Sequence, residues 1–253
     1  MRLALALLFL YSLAWAETPP TGLERLKAVG KKLGVRILVQ PTKYELRTLH
    51  GDLCYDVPPK PETEAYAGVL AEEFARYPAD FIKRSGLRGI VLGSRLTFDG
   101  QKRSALPDRN RWYLVYDVTV KSTKAYRRHV IHHEYFHLID WVGTSYRWRQ
   151  KQWNKLNPEG FKYGKGGKDS QADSLAWYLS TGTKGFLNRY SKSHVTEDMA
   201  EVYAFVLTQP GKVAVRAKRD KIVAAKVEMM KDHLKWFDSS ARQLIPEELR
   251  DPP

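Results

Sequence analysis

Residues Val130 to Asp140 read VIHHEYFHLID, and six consecutive positions within them, His132 to His137, hold three histidines and a glutamate. The chain has seven histidines in 253 residues, and four of them fall between His129 and His137. Inside the cluster, His133-Glu134-Tyr135-Phe136-His137 forms an HExxH pattern. On a helix, residues four apart lie one turn above each other on one face, with Cβ atoms about 5–6 Å apart. Two imidazoles so placed can converge on one ion at about 2.0–2.1 Å each. Glu134 points into the same cleft but is offset, so it reaches a water beside the ion and not the ion itself. His129 extends the stripe, yet one ion cannot be shared by residues two turns apart, about 12 Å along the axis. Only the pair His133 and His137 places Glu134 between the ligands. His129 and His132 are then flanking residues that make polar contacts.

A catalytic zinc takes three protein ligands and leaves a fourth position for water. If the third ligand came six residues after His137, as in HExxHxxGxxH, it would fall on Gly143, so that pattern fails. A better source is RYSKSHVTEDMAEVYAFVL, Arg189 to Leu207, where Thr196 can cap a helix. Glu197, Ala200, Glu201 and Ala204 share one face of that helix. Glu197 can ligate the metal while Glu201, one turn on, hydrogen-bonds a ligand histidine, with Glu201 the rival for the ligand position. Asp198 reads as a solvent-facing or supporting residue. Asp140, three after His137, reads as structural, holding a loop or a ligand ring.

The combination of HExxH with a later Tyr, six intervening residues, Glu, three more residues and Glu resembles the gluzincin metallopeptidases of the anthrax lethal factor type. The segments HEYFH and EDMAE also look like those of bacterial proteins described as zinc-binding metallopeptidases. The resemblance spans about Gly34 to Phe237, and its specific part is the two motif regions. It implies His133, His137 and Glu197 as ligands of one Zn2+, Glu134 as general base, Tyr190 as the hydroxyl that steadies the oxyanion, and Glu201 as the carboxylate behind a ligand histidine. It also implies a zincin-like α+β fold, a small mixed sheet with the active-site helix and a mainly helical C-terminal lobe. Such enzymes hydrolyse peptide bonds with a zinc-activated water, and an endopeptidase is expected here. The strand read over Trp112–Val120 falls where zincins carry an edge strand that pairs with substrate.

Composition sets the surroundings. Met1 and Arg2 precede an apolar run, Leu3 to Leu13, and then Ala14-Trp15-Ala16. This is the pattern of a secretory signal peptide over residues 1–16, and the run is too short for a comfortable span of about 20 residues. The mature protein then begins near Glu17 as one domain over 17–253, periplasmic or secreted, with no transmembrane segment after cleavage. A single cysteine, Cys54, excludes an internal disulfide. With Arg2 gone, 41 basic side chains stand against 28 acidic ones, leaving a formal charge of +13. A peptide or protein substrate of acidic character suits that charge. The reading from another class is a non-catalytic basic protein that binds an anionic envelope polymer, and a third keeps the same site for a non-peptide amide. A structural zinc usually has four protein ligands, whereas this pattern offers three and a base, which favours the enzyme.

Along the chain, the text predicts a helix over Thr21–Leu33, a strand over Val35–Gln40 and a loop from Pro41 to Pro61. A long helix from Glu62 to about Arg84 follows, broken at Pro78. Strands over Gly89–Phe98 and Trp112–Val120 are joined by a polar link containing Asp99-Gly100. Ser122 or Thr123 caps the helix that runs to Trp141 and stops at Gly143. Gly143–Ser170 reads as irregular, and helices resume at Gln171–Leu179, Thr196–Leu207 and Lys212–Phe237. Within it, the basic, aromatic stretch Tyr146–Asp169 reads as a cleft wall or an anionic-substrate surface rather than a nucleic-acid platform, and Gly164, Gly166 and Gly167 as a loop. DLCYDVPP around Cys54 lacks the arginine and glycine of a cysteine switch.

Overall fold

The computed structural model of this chain describes residues 19–47, 51–142, 146–164, 166, 177–180 and 182–250. The expected signal peptide, Gly143, and positions 171–176 of the helix expected at Gln171–Leu179 lie outside the described residues; Trp177–Leu179 is not helical.

The protein is a mixed α+β structure built on a mixed sheet. Helix α1 (Gly22–Leu33) begins with a capping box between Thr21 and Glu24 and ends at Gly34 in the left-handed conformation. Strands β1 (Arg36–Val39), β2 (Tyr44–Leu46) and β3 (Leu53–Asp56) follow, then helices α2 (Lys60–Phe74) and α3 (Ala79–Ser85). The region read as loop, Pro41–Pro61, thus holds two strands. They are only three and four residues long, and turn residues around them obscure the apolar Tyr44, Leu46, Leu53 and Tyr55 that anchor them.

The ten-residue strand β4 (Gly89–Phe98) organises the sheet. Its first half pairs in parallel with β1 on one side and with β7 (Tyr113–Asp117) on the other. Its second half pairs antiparallel with β3 and with the two-residue β5 (Gln101–Lys102). Gly93 sits at the change of partners, where a Cβ would lie 3.0 Å from the Tyr55 ring. A final strand, β6 (Ala105–Asp108), pairs antiparallel with β7 and forms the rim of the sheet. The expectation of an edge strand over Trp112–Val120 is therefore corrected. That strand is interior and buried along its whole length, and the edge is β6, hidden in sequence because Ser104-Ala105-Leu106-Pro107 looks like a turn.

Residues alternate across the sheet as a pleat requires. Ile90, Leu92, Leu114 and Tyr116 face the helices, while Val91, Tyr113 and Val115 meet Leu53 and Tyr55 of the outer hairpin. Helix α4 (Lys124–Trp141) lies against the first face. It starts where Thr123 accepts a hydrogen bond from the Tyr126 amide at 3.1 Å. Tyr77, just after α2, meets Tyr135 of α4 edge-on at 4.9 Å.

The remainder is helical, with α5 (Tyr146–Asn154), α6 (Val195–Thr208), α7 (Pro210–Arg219) and α8 (Lys221–Phe237). Three expectations change here. The stretch after Gly143 contains a helix, α5. His194, not Thr196, caps α6, accepting from the Thr196 amide at 3.3 Å. The single helix expected over Lys212–Phe237 is two, because Asp220 leaves the helical conformation and caps α8 through the amides of Ile222 and Val223. Among the described residues no helix is long and apolar enough to cross a membrane.

Candidate metal centre

Helices α4 and α6 pack side by side through the ring pairs His129–Phe205, at 4.5 Å, and Phe136–Tyr203, at 5.2 Å. This docking turns the histidine stripe of α4 toward Glu197 and Glu201, which are four apart on α6. His133 Nε2 and His137 Nε2 lie 3.2 Å from each other. Glu197 Oε2 lies 3.0 Å from the first and 3.5 Å from the second. Ligands about 2.0–2.1 Å from a tetrahedral zinc stand roughly 3.3 Å apart, so the three donor atoms are spaced as such an ion requires.

The electrostatics point the same way. Burial lowers the pKa of His133, but Glu197 and Glu201 overcome it and hold the ring well above its ordinary value. Burial likewise raises Glu197, while His137 and His133 hold it well below the usual carboxylate range. The cluster is built to keep positive charge at its centre, and a divalent cation between neutral imidazoles meets that demand as a proton does. The residues fit zinc.

Glu201 stands behind this triangle. One of its oxygens lies 2.7 Å from His133 Nδ1 and both lie 3.0 Å from His129 Nε2. The side-chain amide of Asn188 donates to the other oxygen. Burial pushes the Glu201 carboxyl up, yet His129 and His133 bring it down to about 2. A carboxylate on the far nitrogen fixes ring orientation and tautomer. His129, His133 and Glu201 form a second group whose donor atoms lie close together, but all three are buried. The group of His133, His137 and Glu197 opens into a cleft of about 510 Å³ that Glu134 and Tyr190 also line.

Glu134 points into that cleft. Burial raises its pKa, His133 and His137 pull it down, and Glu197 pushes it up again, with a net rise. Tyr190 sits in a 3-10 turn, Tyr190–Lys192, its ring stacked on Trp177 at 3.9 Å and 5.9 Å from the His133 ring. Burial, and then the charges of Glu197, Glu134 and Glu201, raise its pKa, so the hydroxyl stays protonated as a donor. Every site residue read from the sequence is thus brought together, Glu201 included.

The flanking residues divide. His132 turns away from the cleft to Tyr77 Oη at 2.6 Å and Glu73 Oε2 at 2.7 Å, and burial pushes its pKa down to about 4. Asp140 holds Arg149 and Gln150 of α5, the structural role expected. Asp198 is corrected from a solvent-facing reading, for it is fully buried and accepts from Trp153 Nε1, Tyr163 Oη and Lys226 Nζ. The cleft-wall reading of the basic, aromatic stretch is corrected too. Trp153 is buried, Phe161 and Tyr163 pack on Phe186, and none of its described residues lines the cleft. The Gly164 and Gly166 amides are pinned to the carbonyls of Lys192 and Ser193. Cys54 lies in β3, half-buried and outside the cleft lining. Sequence reasoning missed Asn188, Trp177 and the Lys102–Pro107 rim. Only Asn188, two residues before Tyr190, had a signal in its position.

A mixed α+β fold with a triangle of candidate metal-ligand atoms on two packed helices is the class these observations define. The family model described as "Putative zinc-binding metallo-peptidase" matches residues 79–235, and the chain belongs to that family. The fold is also similar to that in the crystal structure of "a putative zinc-binding metallo-peptidase" from Bacteroides caccae, at 20% identity and a TM-score of 0.52, over 90% of this chain and 88% of that one. No curated protein matches the chain.

Proposed function

We propose that this protein is an exported zinc metallopeptidase of the gluzincin type, with one Zn2+ held by His133, His137 and Glu197 in a zincin-like domain over residues 17–253. The observation that carries the reading is the triangle of donor atoms, 3.0, 3.2 and 3.5 Å on its sides, facing a cleft that also holds a carboxylate and a phenol. When bound, zinc supplies a Lewis acid that polarises a carbonyl and lowers the pKa of water to about 7. Glu134 takes a proton from the attacking water and returns it to the leaving nitrogen, a task its raised pKa suits. The Tyr190 hydroxyl donates to the oxygen on which negative charge develops. Glu201 keeps the His133 ring turned so that Nε2 faces the cleft, while His129 and Asn188 hold Glu201 in place. Because the rim strand β6 leaves one edge unpaired among the described residues, an extended peptide can lie along it, as an endopeptidase requires.

The test is zinc content per mole, with hydrolysis of a peptide mixture read beside it. Wild type is expected to retain about one zinc, as a three-ligand site implies, and His133→Ala and Glu197→Ala to retain far less. Glu134→Gln should keep the metal and lose hydrolysis, since the ligands remain and the base is gone. A folded wild type that takes up no zinc after supplementation, or a Glu134→Gln variant that still cleaves, would overturn the reading.

A further inference from the structure

Among the described residues, the cleft is lined by two cations that the proposed chemistry does not use, Lys102 and Arg103, and Arg103 is the better anchored. Arg103 follows β5 and precedes the rim strand β6, so it stands where an extended chain lying along β6 would pass. It lines the same cleft as His133, Glu134 and His137. Its backbone is fixed by a hydrogen bond from its amide to the Leu96 carbonyl at 2.9 Å. Among the described residues the guanidinium donates only to the neutral Gln101 side chain, at 3.1 Å, and its buried Nε has no partner. Several arginines elsewhere in the fold are matched with acids, Arg95 with Asp56, Arg111 with Asp108, Arg128 with Glu73 and Arg216 with Asp220, while others, such as Arg36 and Arg84, lie over aromatic rings. Lys102 beside Arg103 adds a second positive charge to the rim.

A guanidinium presents a planar fork that matches a carboxylate in two parallel hydrogen bonds. Nε lies buried, so the outer fork of the guanidinium is what faces a substrate, and a carboxylate offers it the strongest partner that peptide chemistry contains. We propose that Arg103 is the specificity residue of this cleft and selects peptides that place a carboxylate, that of an Asp or Glu side chain, beside the scissile bond. The inference rests on the peptidase reading above, and it assigns Arg103 to substrate choice and not to the bond-breaking step.

The experiment digests a mixed peptide library with the zinc-loaded protein and reads the cleavage sites by mass spectrometry. The measure is the ratio of cleavage at sites with a nearby Asp or Glu to cleavage at neutral sites. Wild type should favour acidic sites by about tenfold or more, the value of one charge-assisted hydrogen bond, and Arg103→Lys, which keeps the charge and loses the fork, should keep a smaller preference of the same sign. Arg103→Gln should bring the ratio near one, and Arg103→Glu should invert it toward Lys and Arg. A parallel library with amidated C-termini separates the two sources of carboxylate. Preference that survives amidation places the carboxylate on a side chain, as proposed, whereas preference that vanishes places it at the chain end and overturns the assignment to an Asp or Glu side chain. Cleavage without acidic preference, or a preference unchanged in Arg103→Gln, overturns the inference and leaves the peptidase standing. No cleavage by wild type overturns both.

Discussion

Tyr190 shows how far one side chain's role depends on its surroundings. Its ring is clamped against Trp177 at 3.9 Å, so the hydroxyl is presented to the cleft without a search over rotamers. Burial and three nearby carboxylates keep that hydroxyl protonated, which makes it a donor at every pH where the protein is folded. Tyr190→Phe keeps the stack and the ligands and removes only the donor. The expected result is unchanged zinc content with turnover lower by about 10²–10³, the usual loss for one oxyanion donor. Unchanged turnover would reduce Tyr190 to packing. At this scale the sequence was most legible. His133, Glu134 and His137 follow from helical spacing on one segment and Glu197 and Glu201 from helical spacing on another, while Tyr190 and the joining of the two segments come from the resemblance, and the docking of α4 on α6 brings them together. Arg103 and Trp177 are not legible there, since only tertiary packing brings Trp177 to 5.6 Å from the His133 ring and Arg103 into the same cleft.

Helices α5, α6 and α8 meet at a single buried charge pair. Lys226 Nζ lies 2.6 Å from Asp198 Oδ2 and 2.7 Å from the Gly185 carbonyl, and sits 3.8 Å over the Phe186 ring. Both partners are buried. Burial comes first in each case, raising Asp198 and lowering Lys226, and their mutual attraction opposes it. Removing one member strands the other, a loss of about 3–5 kcal/mol. Asp198→Ala should therefore lower the urea midpoint sharply, while Asp198→Ala combined with Lys226→Met should recover much of the loss. A loss below about 1 kcal/mol in the single variant, the level of an exposed pair, would show that the pair does not hold these helices. None of this is readable from EDMAE, where Asp198 looks like one more acidic residue in a first helical turn. The elements misread for a related reason are β2, β3 and β6. Strands of three or four residues carry too few alternations to stand out against turn residues, and their pairing with β4 supplies the order that local sequence lacks.

Across the whole molecule, acid is the condition that sets the packed core against solvent. His233 on α8 is buried beside Phe136 and Trp236, and among the described residues neither ring nitrogen has a hydrogen-bond partner. Burial, reinforced by the charge of Arg149, pushes its pKa down to about 3. In the unfolded chain an imidazole titrates at about 6.5. Between those values the unfolded state binds a proton that the folded state refuses, so stability falls as pH falls through that window. His132, held down to about 4, adds to the same slope, whereas Glu73 and Glu201, each near 2, lose their contributions only below the ordinary carboxylate range. His233→Leu removes one such proton and keeps an apolar side chain in the core. Lowering the pH from ~7.5 to ~5.5 should widen the stability difference in favour of the variant by about 1.4 kcal/mol, one titrating group over one effective pH unit. Urea unfolding of both proteins at matched zinc loading measures this, because protonation of the proposed ligands is common to the two and cancels. Parallel pH dependences would mean that His233 accepts its proton in the folded state, and that the helical lobe admits water where the packing of α8 against α4 excludes it.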